Sequence, residues 1–295
     1  MMTLAIPQVP ARRPNALLAF AKAQPVGAAC LAFIAVLILA SVFADWIVPN
    51  DPFSLDFGAL LMPPSWQYPF GTDNMGRCVF SRVVYGARTA LVIGILSSLL
   101  GSIIGGLIGV VQGYFGGRFD FYVSRFIDVL LSFPIIVLAV VVVAMLGKRS
   151  VGGVDFNLVV AIAIPIIPKV ARVVRSAALS VREMPYIDAA RAAGFTHQRI
   201  VLKHMVPNVF APFIIMFTAF VAQAILLEAS LSFLGLGVTE PTPAWGLMLA
   251  GNAADFYREA PWMIIFPGLA ISLSVFAFNL FGDALRDHLD PRFKL

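Results

Sequence analysis

The sequence predicts an all-α, polytopic transmembrane helical bundle of six spans, with both chain ends on the cytoplasmic side. Two observations carry that prediction. Of 295 residues, 60% are hydrophobic and only 13% charged, and several apolar runs of about 20 residues are long enough to cross a ~30 Å hydrocarbon core. With six crossings and the N-terminus inside, 15 of the 21 Lys and Arg residues fall on the cytoplasmic side and six outside. That asymmetry orients a membrane protein. The net charge of +5 therefore reads as orientation and partner docking, not as a nucleic-acid footprint. Cys30 falls in the first span and Cys78 in a loop, so no disulfide is expected between them, and no metal-ligand spacing occurs.

Taken in order, residues 1–25 are short and basic (Arg12, Arg13, Lys22) and read as a cytoplasmic tail with no fold of its own. Val26 to Val48 is the first span. Its run of about 23 residues exceeds the ~7–15 of a signal-peptide core, so an uncleaved anchor is expected. Residues 49–87 form a long outer loop, and Thr89 to Tyr114 the second span. Gly101, Gly105, Gly109 and Gly113 recur there at every fourth position, a small-residue stripe that lets another helix approach closely. Phe126 to Gly147 is the third span, with Pro134 near its start and Asp128 as an interfacial charge. Leu158 to Ala171 is the weakest, short and carrying Pro165 and Pro168; it is expected to run out of the bilayer with Lys169 snorkelling. Pro207 to Leu227 is the fifth span, with Glu228 read as a structural or interfacial charge at its outer end. The following apolar piece is too short to cross, residues 239–260 lie outside, and Trp262 to Phe281 is the sixth span. The transmembrane domain is thus placed at residues 26–286, before a cytoplasmic tail at 287–295.

The polar island at 181–208 stands out among these apolar runs. It reads as two short helices with a hinge. Pro185 suits a first helical turn, where its missing N–H costs nothing. Ile187 to Ala193 is Ala-rich, and Gly194 supplies the left-handed residue that ends a helix. Thr196 then caps a second helix, His197 to Met205, before Pro207 begins the next element. Ala189, Ala190, Ala193 and Gly194 leave one side almost free of side chains, so another surface can approach. A membrane protein that holds out a compact basic hairpin of this kind is expected to use it as a docking lever.

That hairpin resembles the cytoplasmic loop of ABC-importer permeases, whose pattern is Glu-Ala-Ala, three residues, Gly, nine residues, then Ile-x-Leu-Pro. Here the sequence is Asp188-Ala189-Ala190, three residues, Gly194, nine residues, then His204-Met205-Val206-Pro207. Asp188, His204 and Val206 depart from the pattern, and a His at that place is common in the peptide and nickel branch. Three further stretches resemble that branch: the outer loop from Gly71-Thr72-Asp73 to Arg88, the segment Glu228 to Gly246, and the tail from Gly282 to Arg292. An acidic residue is usual in the family where Cys78 stands.

The resemblance implies a type I importer permease fold in a prokaryotic inner or plasma membrane, acting as the second permease of a dipeptide, oligopeptide or nickel system. It implies a heterodimer with a second homologous permease, two cytoplasmic ATPase subunits that bind the ATP and magnesium, and an extracytoplasmic solute-binding protein. No cofactor is implied for this chain. The ATPase-coupling residues would be Tyr186, Asp188, Ala189, Ala190, Arg191, Ala193, Gly194, His197, His204 and Pro207. Dipeptides or oligopeptides lead as substrates, with nickel complexes and glutathione-like peptides behind them.

The residues themselves exclude some chemistry. No GxxxxGK[ST] loop occurs, so the chain is not expected to hydrolyse ATP. There is no HExxH, and His197, His204 and His288 are all placed at the cytoplasmic surface, which leaves no intramembrane Ser–His dyad. Two other classes stay open on the residues alone. An ion-coupled secondary transporter would use a mid-membrane ionisable residue, for which Glu228 is the best candidate. A non-transporting membrane scaffold would also explain the Gly stripe and the hairpin.

Overall fold

The computed structural model describes residues 16–147, 150–151, 154–251 and 255–289. Among the described residues the chain is mostly helical. Helix α1 (Ala16–Ala23) leads into α2 (Pro25–Val42), where Pro25 occupies the first turn, and the short α3 (Ala44–Ile47). The expectation that residues 1–25 have no fold is corrected for α1: Phe20 meets Phe281 and His288 edge-on, at centroid distances of 6.3 and 5.4 Å. An aromatic contact anchors what looked like a plain basic tail.

A folded outer loop then leads to α4 (Val79–Phe115), a helix of 37 residues. It begins ten residues ahead of the expected second span, because Ser81 and Arg82 are buried in the outer layer of the bundle instead of lying in open loop. At about 1.5 Å per residue it is roughly 55 Å long, so it projects beyond the hydrocarbon core. Next come α5 (Gly117–Leu131) and α6 (Ile135–Leu146), which meet at an angle of 93° at Pro134. The straight third span expected from Phe126 is corrected accordingly. Proline withholds the N–H and crowds the preceding turn, so the chain bends. Helix α6 alone is about 18 Å long, less than the ~30 Å hydrocarbon core, and α5 is amphipathic.

Two-residue strands β1 (Ser150–Val151) and β2 (Val154–Asp155) pair antiparallel ahead of α7 (Phe156–Arg182). Asp155 caps α7 by accepting from the backbone N–H groups of Asn157 and Leu158. The expected weak fourth span runs on toward the hairpin as one continuous helix through Pro165 and Pro168, both buried. After the hairpin helices α8 (Pro185–Ala192) and α9 (His197–Ile200), a π-helical turn (Val201–Met205) runs directly into α10 (Val206–Phe233). The short α11 (Trp245–Leu249) and α12 (Trp262–Leu289) complete the chain. Both α10 and α12 run several residues past the expected span ends.

Among the described residues, five helices are long and apolar enough to cross a membrane, and the bent pair α5 and α6 passes the same test as a single broken unit, which gives six if that pair is one span. Packing of α4 on α7 is the most extensive helix contact in the molecule. Its seam is the glycine stripe. A Cβ at Gly101 would stand 2.9 Å from Ile166 Cβ, at Gly105 2.6 Å from the Ile167 carbonyl oxygen, at Gly109 2.6 Å from that of Ala171, and at Gly113 2.5 Å from Ala178 Cβ. Bare backbone on α4 thus lies directly on α7, which maximises dispersion contact where lipid offers no hydrophobic drive. Helix α10 closes the interior against both, while α2 buries only Gly27, Ile34 and Ser41 and leaves Val26, Val36, Leu39 and Val42 exposed.

Candidate functional site

The hairpin is built by local capping chemistry. Met184 is extended and Pro185 sits in the first turn of α8. At the other end the Gly194 N–H donates to Arg191 O (3.0 Å) and the Phe195 N–H to Ala190 O (3.1 Å), with Gly194 at φ 75°. This is a complete Schellman stop. The Thr196 hydroxyl then accepts from the Arg199 N–H (3.4 Å) and restarts the helix. The expected separate second helix, His197 to Met205 with a break at Pro207, is corrected: the chain passes through the π turn into α10 without a break. Pro207 brings no N–H to the ladder, and the widened turn absorbs its ring; Asn208 Nδ2 donates to the His204 carbonyl (2.7 Å).

The hairpin has a dry inner face and an open outer one. Ile187, Ala190, Ile200 and Met205 are buried and join the main core with Val174 and Ala178 of α7. Tyr186, Asp188, Ala189, Arg191, Ala193, Gly194, His197 and Pro207 are exposed. Ala190 is therefore a correction: it lies beneath the small-residue surface, not on it. Ala189, Ala193 and Gly194 remain outward, and nothing lies within 4 Å of a Cβ built on Gly194. Asp188 and Arg191 form a surface pair at 3.0 Å. His204 is half-buried between the rings of Tyr186 and Phe195, at centroid distances of 6.3 and 6.1 Å, and so stiffens the hairpin.

One contact was not foreseen. The Tyr114 hydroxyl, at the end of α4, lies 2.7 Å from His197 Nδ1, and the Arg191 guanidinium sits 5.7 Å from the Tyr114 ring centre. Phe115 also faces His197 at 5.7 Å. The hairpin is thus attached to α4 as well as to α7 and α10. The partners are 83 residues apart, and no local pattern marks them.

Topology sets which side this face addresses. Thr196→Cys, in a chain lacking Cys30 and Cys78, is expected to resist an impermeant thiol reagent in intact cells and to react once the membrane is opened. Labelling from outside would contradict the charge-based orientation.

At the opposite end, Arg77 bonds Asp73 through Nε (2.6 Å) and Glu240 through NH1 (2.7 Å), and Arg82 NH2 donates to both Glu240 oxygens (3.2 and 3.3 Å). Tyr85 and Arg88 both donate to Asp45, joining α4 to the chain after α2.

Glu228 is fully buried, which rules out the interfacial alternative and leaves the structural one. The Ser232 hydroxyl donates to its Oε1 (2.7 Å) and accepts from the Val238 N–H (3.1 Å), tying the end of α10 to the chain that follows. Gln keeps that acceptor, so Glu228→Gln is expected to leave uptake intact. Uptake that lost dependence on a pH gradient in this variant would favour an ion-coupled carrier instead.

Comparison with known proteins completes this picture. A family model described as "Binding-protein-dependent transport system inner membrane component" matches residues 101–295. A protein of Brucella abortus provisionally named as a peptide transport system permease is 41% identical over 265 residues, covering 90% of this chain and 87% of the relative. The glutathione transport system permease protein GsiD of Escherichia coli O6:K15:H31 is 43% identical over 263 residues, covering 89% and 85%. An inward-facing structure of the MetNI methionine ABC transporter superposes with a TM-score of 0.55 at 20% identity, covering 72% of this chain and 97% of that one, a likeness of fold. The long apolar helices, the capped hairpin and these matches lead to one conclusion: the chain belongs to the family of binding-protein-dependent transport system inner membrane components, the permeases of ABC importers.

Proposed function

We propose that the chain is one permease of a heterodimeric peptide importer in a prokaryotic inner membrane, and that residues 181–208 transmit the motion of cytoplasmic ATPases to the pore. The observation that carries this is the hairpin's construction. Its outer face offers Ala189, Ala193 and Gly194 for close approach, flanked by Asp188 and Arg191. Its inner face is packed into the core and held to α4, α7 and α10. Force applied to such an element moves three spans together, because packed interiors deform little. ATP and magnesium would act on the partner subunits, and closure of the two ATPases would carry a docked hairpin on each permease. An external solute-binding protein would deliver the substrate. Peptides lead as cargo because the curated relatives are named for peptide and glutathione transport. Nickel complexes have no comparable support.

The experiment is uptake of a radiolabelled tripeptide into proteoliposomes holding the complete complex. Uptake is expected to require both ATP and the binding protein. Uptake driven by a proton or sodium gradient alone would overturn the proposal.

A further inference from the structure

The geometry points to a carboxylate-binding site at the extracytoplasmic mouth, in which Glu240 occupies the place of a ligand carboxylate on Arg77 and Arg82. We infer that the ligand is the terminal carboxylate of the transported peptide, an inference that rests on the peptide reading above.

Arg77 and Arg82 line a partly enclosed cavity of ≈ 240 Å³, with apolar walls that include Val79, Met248 and Met263. Both guanidiniums are withdrawn from solvent, and Arg82 is only 1% exposed. Each offers five N–H donors in a rigid fork suited to carboxylates. The protein uses only part of that capacity. Arg77 donates to Asp73 and Glu240. Arg82 donates to Glu240 and, at 3.3 Å, to the Pro52 carbonyl. Its three bonds are all long, at 3.2 to 3.3 Å, where a well-fitted guanidinium–carboxylate pair is shorter.

Glu240 differs from the other members. Its side chain is 45% exposed, while Arg77, Arg82 and Asp73 are at most about a tenth exposed. It comes from the chain between α10 and α11, the others from the outer loop and the start of α4. Asp73 is fixed by accepting from the backbone N–H groups of Met75 and Arg77. Glu240 has no such hold among the described contacts. The exchangeable carboxylate is therefore Glu240, and an incoming carboxylate would replace it charge for charge on two buried cations. The last side chain of a peptide would meet the thioether and valine wall. Displacing Glu240 also removes the ion pairs between these two outer segments, which the Thr89–Pro243 and Trp245–Val83 hydrogen bonds continue to join.

Ligand-observed NMR on the permease–ATPase complex in nanodiscs, without binding protein, tests the site with trialanine, trialanine amide and hexanoate. Trialanine and hexanoate are expected to bind, and the amide at least about tenfold more weakly, for want of a charge-assisted fork. Glu240→Gln removes the internal competitor at nearly constant volume and is expected to tighten both carboxylates by about tenfold. Arg77→Gln is expected to weaken them by a similar factor. Hexanoate binding that responds to both variants while trialanine does not bind would uphold the carboxylate site and overturn the peptide ligand. Acid and amide binding equally, or carboxylate affinity unmoved by Glu240→Gln, would overturn the site.

Discussion

Gly109→Val is expected to leave little folded permease in the membrane. Its Cβ would lie 2.6 Å from the Ala171 carbonyl oxygen, 2.8 Å from the Arg175 backbone nitrogen and 3.0 Å from Val174 Cβ. Two of those three atoms are helix backbone and cannot rotate away. Overpacking typically costs about 1–3 kcal/mol, and a backbone collision belongs at the upper end. The α4–α7 seam would have to open, and Asp120, which accepts from Arg175 at 2.5 and 2.6 Å, would lose register with it. Gly268→Ala in α12 is the control: no atom lies within 4 Å of its added Cβ, and Ala favours helix by about 1 kcal/mol over Gly. Detergent-extracted yield and melting temperature should fall for Gly109→Val and hold or rise for Gly268→Ala. Equal yields would show that the seam tolerates bulk.

Gly194→Asp is expected to abolish ATP-driven uptake while the permease still reaches the membrane. The space is open, so no clash arises; the cost is conformational and electrostatic. At φ 75° an L-residue is disfavoured by about 1–2 kcal/mol. The new carboxylate would also face the negative end of α8 and sit in the middle of the small-residue face. Co-purification of ATPases should weaken. Asp188→Ala is expected to keep partial uptake, because the Asp188–Arg191 pair is exposed, a class worth about 1 kcal/mol or less. Full uptake and full ATPase retention in Gly194→Asp would show that the hairpin is an ordinary solvated loop.

Legibility in the sequence tracks how local the chemistry is. Pro185, Gly194 and Thr196 act within four residues of themselves, and the hairpin's caps stand where composition placed them. Apolar length marked the five long spanning helices, and a sixth where the bent pair α5 and α6 lies. Span boundaries were less legible, since Arg82 looks like a loop residue until Glu240, 158 residues away, is seen beside it. Pro165 and Pro168 made the fourth span look short and weak, yet both are buried inside the continuous helix α7. Ala190 and Ala189 are indistinguishable by composition, and only the helix's rotation against Ile187, Ile200 and Met205 sends one inward. Tyr114 gave no signal at all, because its contact depends on His197 of α9, 83 residues away in the chain.

The central claim is that the outer face of the hairpin is the seat of an ATPase subunit. Single cysteines at Ala189 and Ala193, in a permease lacking Cys30 and Cys78, can be treated in the assembled complex with a short bismaleimide linker. Both positions are predicted to give a permease–ATPase adduct whose yield changes between nucleotide-free and ATP-bound states, while a cysteine at Leu107, on the exposed apolar face of α4, gives none. No adduct from Ala189 or Ala193, in a complex that still hydrolyses ATP and takes up peptide, would contradict the account.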